Sequence, residues 1–128
     1  MPRRRSPVLT GVELEFMEVI WERGPCAAVD VRRYLARRGL AESTVRTTLQ
    51  ILERKGYLDH DVSGRTYVYR ARVSQNEARQ SFLRDLLKRV FRGSPALLVK
   101  GLLDSGDLSP DQVAEIKRLL RTAETEHK

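Results

Sequence analysis

The chain has a single cysteine, Cys26, and two histidines, His60 and His127, in 128 residues. One thiol excludes an intrachain disulfide, and so few sulfur and imidazole donors leave metal clusters and Cys/His catalysis poorly supplied. No stretch nears the roughly 20 apolar residues that cross a bilayer, and Pro2-Arg3-Arg4-Arg5-Ser6-Pro7 is not followed by a signal-peptide apolar core. The expectation is a cytoplasmic protein with no membrane insertion. The carboxylates are scattered, and neither a nucleophile–base pair nor a glycine-rich phosphate loop is present, so no enzyme, metal or cofactor is expected. Apart from the arginine–proline start there is no low-complexity segment, and there is no internal repeat.

What the sequence does have is positive charge: 24 Lys and Arg against 17 Asp and Glu, for a formal net of +7. The excess is uneven, with 14 basic and 9 acidic residues up to Arg72 and 10 and 8 from Val73 onward. The first half should therefore be the part that attracts a polyanion. The length suits one sizeable core, or one DNA-binding module with a short helical appendage, and little more.

Residues 1–9 lack the apolar content that would offset the entropy of ordering and are expected to form a flexible basic arm, in which Arg3, Arg4 and Arg5 read equally as a solubilising end or as a reach into an adjacent DNA groove. Thr10-Gly11-Val12-Glu13 reads as a capping box, and Val12, Phe16, Val19 and Ile20 then gather on one helical stripe before Gly24-Pro25 stops it. A second amphipathic segment carries Ala27, Val31, Tyr34 and Leu35, with Arg32, Arg33, Arg37 and Arg38 outside, and ends at Gly39. Cys26, near its start, reads either as a small packed residue or as a thiol of lowered pKa. A third helix is predicted over Glu42 to Lys55 with Gly56 as its left-handed cap, so that two helices meet across a short turn.

Tyr57 to Asp61 and Thr66 to Arg70 read as the strands of a hairpin around Val62-Ser63-Gly64-Arg65. Tyr67 and Tyr69 are expected to divide, one packed beneath the sheet and one half exposed, on the premise that they face opposite ways. Ser74-Gln75-Asn76-Glu77 opens a fourth helix reaching about Arg92, followed by an apolar segment from Ala96 to Leu103 and a last helix from Ser109-Pro110 to about Thr122, with fraying from Glu124. The fourth helix bears two apolar rows, Phe82, Leu86, Val90 and Leu83, Leu87, Phe91, which are wider than one intramolecular contact requires. With Leu98, Leu102, Val113, Ile116 and Leu120 these make a candidate dimerisation surface, Val113, Ile116 and Leu120 being the stripe expected to be buried. Three short helices enclose little core alone, and small units often solve this by oligomerising.

The third helix is the most informative segment. At about 100° per residue, Val45, Leu49 and Leu52 lie on one side with Thr48 beside them, and Ser43, Arg46, Thr47, Gln50 and Arg54 lie on the other. The second set can read DNA: Arg46 suits guanine, Gln50 suits adenine, and the hydroxyls suit phosphates or base edges. The hairpin tip can add Arg65 and Tyr67 against the sugar–phosphate backbone. An ordinary helix with a wet side has the same pattern; the short turn before it and the basic hairpin after it favour DNA.

Leu9-Thr10, Glu15, Trp21, Ser43-Thr44-Val45-Arg46-Thr47, Leu52, Lys55-Gly56-Tyr57-Leu58 and Tyr67-Val68-Tyr69 together resemble the penicillinase-repressor (BlaI/MecI) family. The resemblance continues through Val73-Ser74 and Asp107-Leu108-Ser109, covering nearly everything after the arm. It implies a homodimer with an N-terminal winged helix-turn-helix and a helical dimerisation domain, bound to a palindromic operator in double-stranded DNA. It also implies that Ser43, Thr44, Arg46 and Thr47 open the recognition helix and supply base and phosphate contacts. Antibiotic-responsive members answer to a membrane sensor–protease system that cuts an Asn-Phe pair; here that position looks like Gly101-Leu102, a departure from the family's pattern that leaves cleavage elsewhere in the apolar segment open. Copper-responsive relatives have a cysteine-rich C-terminal motif that this chain lacks.

The sequence thus predicts a mainly α fold with a small β-hairpin: a basic arm over 1–9, a winged helix-turn-helix over 10–72 and a helical dimerisation domain over 73–128. The function expected is that of a sequence-specific repressor, with a winged-helix protein–protein interaction module as the alternative, since fold does not dictate function.

Overall fold

Thr10 opens the first helix through a reciprocal cap: its hydroxyl accepts from the Glu13 amide at 3.1 Å, and the Glu13 carboxylate accepts from the Thr10 amide at 2.8 Å. The computed structural model describes residues 9–126, so Arg3, Arg4 and Arg5 of the expected arm and His127 lie outside the described residues. Helix α1 (Gly11–Arg23) ends at Gly24, whose φ of 87° suits a residue without a Cβ. Strand β1 (Cys26–Ala27) leads into α2 (Ala28–Tyr34), a single 3₁₀ turn over Ala36–Arg38, and α3 (Glu42–Arg54). A hairpin of β2 (Leu58–Ser63) and β3 (Thr66–Ala71) follows, then α4 (Gln75–Val90), α5 (Pro95–Asp104) and α6 (Pro110–Glu126).

The chain divides into two units, through Asp85 and from Leu86. In the first, Phe16, Met17 and Ile20 of α1 meet Val31 and Leu35, then Val45, Leu49 and Leu52 of α3, then Tyr57, Leu58 and Tyr69. Burial of these side chains supplies about 1.5 to 3 kcal/mol each before chain entropy is counted. Val73 and Ala78 belong to the same core, and the Trp21 indole donates to the Val73 carbonyl at 2.8 Å. The division therefore falls inside α4, beyond the expected 72/73, because the first turns of that helix complete the first core. Phe82 also packs against this core. Its surface is partly covered without any second chain.

Three details of the first unit differ from the sequence reading. The sheet has three antiparallel strands in the order β1-β3-β2, because Cys26 and Ala27 pair with Tyr69 and Val68. The second helix is shorter than expected: Ala27 caps it from the strand side, and Tyr34 is 40% exposed beneath the Arg23 guanidinium rather than in the core. The hairpin strands run further, with Ser63 pairing Thr66, so that Gly64 and Arg65 alone make the turn and Gly64 takes φ 64°.

The second unit contains the end of α4, α5 and α6. Ser94 caps α5, and Ser109 and Gln112 form a reciprocal cap on α6. Helix α4 stops at Val90, two residues short of the sequence reading, with Arg92 and Gly93 both at positive φ. Helix α6 continues past Thr122 to Glu126 instead of fraying. Phe91, Leu87, Leu98, Val113 and Ile116 are half-buried, whereas Leu86, Val90, Leu102 and Leu120 are exposed. The expected buried stripe of α6 is therefore incomplete within one chain: Leu120 is 59% exposed, since no further layer of this unit reaches it.

Candidate nucleic-acid interface

Helix α3 is held from behind. Val45, Leu49 and Leu52 are fully buried, and Tyr57 donates its amide to the Leu52 carbonyl at 3.0 Å where the chain turns through Gly56 at φ 90°. At its end the Lys55 ammonium donates to the Glu13 carboxylate at 2.7 Å, joining the cap of α1 to the end of α3. Burial alone would push the Glu13 carboxyl up; hydrogen bonds from Lys55 and Thr10 outweigh it and hold the carboxyl below its ordinary range. The front of the helix is free of the core. Ser43, Thr44, Arg46, Thr47, Gln50 and Arg54 are all exposed, as the helical period predicts. Thr48, half-buried beside the core face, spends its hydroxyl on the Thr44 carbonyl at 2.8 Å.

A concave groove of about 410 Å³ runs between this face and the hairpin. Its walls are Ala27, Ala28 and Val29 on one side, Glu42, Arg46 and Gln50 along α3, and Arg65, Thr66, Tyr67 and Tyr69 from the wing. Four residues singled out from the sequence, Arg46, Gln50, Arg65 and Tyr67, thus share one recess. Ser43, Thr44, Thr47 and Arg54 do not line it; they are exposed elsewhere on the same helix. Charge-assisted donors from Arg46 and Arg65 and the amide of Gln50 give the recess the chemistry to bind anions and base edges.

Tyr67 is half exposed, at 50%, and Tyr69 is buried. The premise behind that expectation was wrong: two residues apart on β3, they share a face and meet edge to face at 6.5 Å. Tyr69 lies opposite Cys26 and His60, deeper along the strand, which accounts for the difference. Burial, then the nearby Glu53 carboxylate, pushes the Tyr69 hydroxyl up. His60 stacks on Tyr67 with centroids 4.3 Å apart and planes 14° from parallel, while its Nδ1 meets the Glu53 carboxylate. The sequence reading overlooked His60 and Glu53 as supports of Tyr67. Strand parity was the available signal, because His60 opposite Tyr69 lies diagonally next to Tyr67.

Two other expectations resolve here. The basic flank around α2 is largely engaged: Arg33 pairs with Asp30 at 3.0 Å, Arg37 and Arg38 converge on Glu15, and Arg32 donates to the Leu40 carbonyl at 3.0 Å. Cys26 is a packed residue: it is buried, its thiol donates to the Gly24 carbonyl at 3.2 Å, and burial followed by the Asp30 charge pushes its pKa up rather than down.

Three helices carrying a three-stranded antiparallel sheet, with a two-residue hairpin tip beside the third helix, define a winged helix-turn-helix protein. The family model described as "Penicillinase repressor" matches residues 9–122. The chain belongs to that family, which is one of transcriptional repressors and not of enzymes. It is 27% identical over 126 residues to the penicillinase repressor of Bacillus licheniformis, covering 98% of this chain and 95% of that protein. It is 23% identical over 113 residues to the methicillin resistance regulatory protein MecI of Staphylococcus aureus, covering 88% and 92%. Among solved structures, that of the DNA binding domain of the repressor BlaI matches with a TM-score of 0.52 and 29% identity, over 58% of this chain and 92% of that one.

Proposed function

We propose that the protein is a sequence-specific DNA-binding transcriptional repressor that acts as a homodimer on a palindromic operator. The observation that carries this reading is the groove joining Arg46 and Gln50 of α3 to Arg65 and Tyr67 of the wing. Arg46 and Gln50 reach base edges in the major groove, Ser43, Thr44, Thr47 and Arg54 flank them on phosphates and neighbouring bases, and Arg65 and Tyr67 lie along the backbone. A similar fold is found in a protein that is, as its name states, the DNA binding domain of a repressor.

The second unit supports pairing. Leu86, Val90, Leu97, Val99, Leu102, Leu103, Leu119 and Leu120 are large apolar side chains left exposed in one chain, more than a small monomeric unit normally leaves in water. A twofold partner that covers them presents two copies of α3 to successive major grooves about one turn apart. A membrane sensor–protease system is a partner that family resemblance suggests. Gly101-Leu102 lies within α5, so a cut there would first require that helix to unwind.

Footprinting the purified protein on DNA upstream of its own coding region tests the proposal. A protected, twofold-symmetric segment whose occupancy falls steeply with salt is the expected result. Absent or salt-insensitive binding would transfer the groove to a protein partner.

A further inference from the structure

We infer that Glu42 is a specificity-determining residue of the DNA-reading face, placed to accept from an exocyclic amino group of cytosine or adenine next to the base read by Arg46. The inference rests on the DNA-binding reading above and deepens it. Three observations lead to it. Glu42 is exposed and is the one carboxylate among the described residues that line the groove with Arg46 and Gln50. It lies one turn before Arg46, with Oε1 3.9 Å from Arg46 Nη2. It also borders the adjoining recess formed with Ala28, Val29, Arg32 and Val45, so it stands between the two recesses.

A carboxylate in that position is costly in a surface built only to hold phosphates, because it repels them. It is useful where its acceptors find donors. In the major groove of DNA the donors are the amino groups of cytosine and adenine, whereas guanine and the phosphates present acceptors. Arg46, with donors only, has the opposite preference. Four residues of helix advance about 6 Å and one base step about 3.4 Å. The pair therefore reads base edges of opposite polarity within about two steps of each other, and a sequence with those edges exchanged meets two repulsions at once.

The experiment compares the full chain with Glu42→Gln and Glu42→Ala, substitutions at an exposed position that leave the core untouched. Each protein is titrated against the footprinted operator, against the same operator with every half-site base pair varied in turn, and against a random duplex of equal length. The expected result is that one position bearing an amino edge loses at least about fivefold of its discrimination, that random-duplex affinity rises several-fold, and that the position read by Arg46 keeps its preference. A base profile unchanged from wild type in both variants overturns the inference, whatever happens to random-duplex affinity. If the wild-type chain itself fails to distinguish operator from random duplex, the DNA-reading proposal falls and takes this inference with it; the wild-type titration separates the two failures.

Discussion

Replacing Arg46 and Arg65 one at a time by alanine separates base reading from backbone holding. Both side chains line the same groove, yet α3 presents the first and the hairpin tip the second. Neither loss should disturb folding much. Arg46 is mostly exposed, and its pairing with Glu42 at 3.9 Å is an i,i+4 surface pair, worth roughly 0.5 kcal/mol or less. The DNA contact is worth more, because a bidentate arginine–guanine pair discriminates by about 1 to 3 kcal/mol, or about 5- to 150-fold.

The two substitutions should therefore leave different signatures in one assay, competition among single-base operator variants at two salt concentrations. Arg46→Ala should flatten preference at one position per half-site. Arg65→Ala should weaken every sequence by a similar factor and reduce the log–log salt slope by about 0.9 for each phosphate that the protein no longer neutralises. The reasoning is refuted if Arg46→Ala lowers all affinities equally while the base profile stays intact, since Arg46 would then be holding the backbone.

Two further predictions concern the supports of the site. The folded-state pKa of Glu13 is lowered by Lys55 and Thr10 despite burial, so its contribution to stability is complete above its unfolded value near 4.5 and is lost as pH falls through the lower folded value. Urea titrations between pH 3 and 6 should show a steeper acid loss for wild type than for Glu13→Gln; parallel curves would refute this. In the second unit, Val90→Glu or Leu120→Glu, at positions 62% and 59% exposed in one chain, should preserve helical circular dichroism and raise the dimer dissociation constant at least about tenfold, since an unpaired charge in an apolar interface costs well over 1.4 kcal/mol. Unchanged sedimentation of both variants would place the dimer contact elsewhere.

The parts of the fold that were legible in the sequence are those whose information is local. The Thr10–Glu13 cap, the two faces of α3 and the turn at Gly64 each depend on residues within a few positions of one another, and each is found where spacing places it. Strand β1 was not legible, because two residues have no period and their strand character comes from pairing with β3. Nor was the tie between Glu13 and Lys55, since a capping carboxylate and a helix-end lysine look complete within their own helices. The groove follows the same rule. Its α3 members, Glu42, Arg46 and Gln50, share a face by helical parity, although only the last two were singled out, whereas Val29, 67% exposed, joins it because the fold brings α2, α3 and the wing together.

The same distinction explains where apolar content misled. In the first unit a hydrophobic residue at core spacing is buried, because α1, α3 and the sheet close around it; Phe16, Leu49 and Leu58 have no exposed surface. In the second unit identical spacing leaves Leu120 in water and Val113 and Ile116 only half covered. Periodicity specifies which side of a helix is apolar, but the partner that buries it depends on how many layers the chain can supply. Residues from 86 onward supply only the end of α4 and two further helices, and among the described residues of that unit none is fully buried. A unit so composed gains little from its own core, so its stability should depend on protein concentration as a monomer's would not. Repression would then require dimerisation twice over: to cover the apolar side chains that the second unit leaves exposed, and to bring a second α3 onto the same duplex.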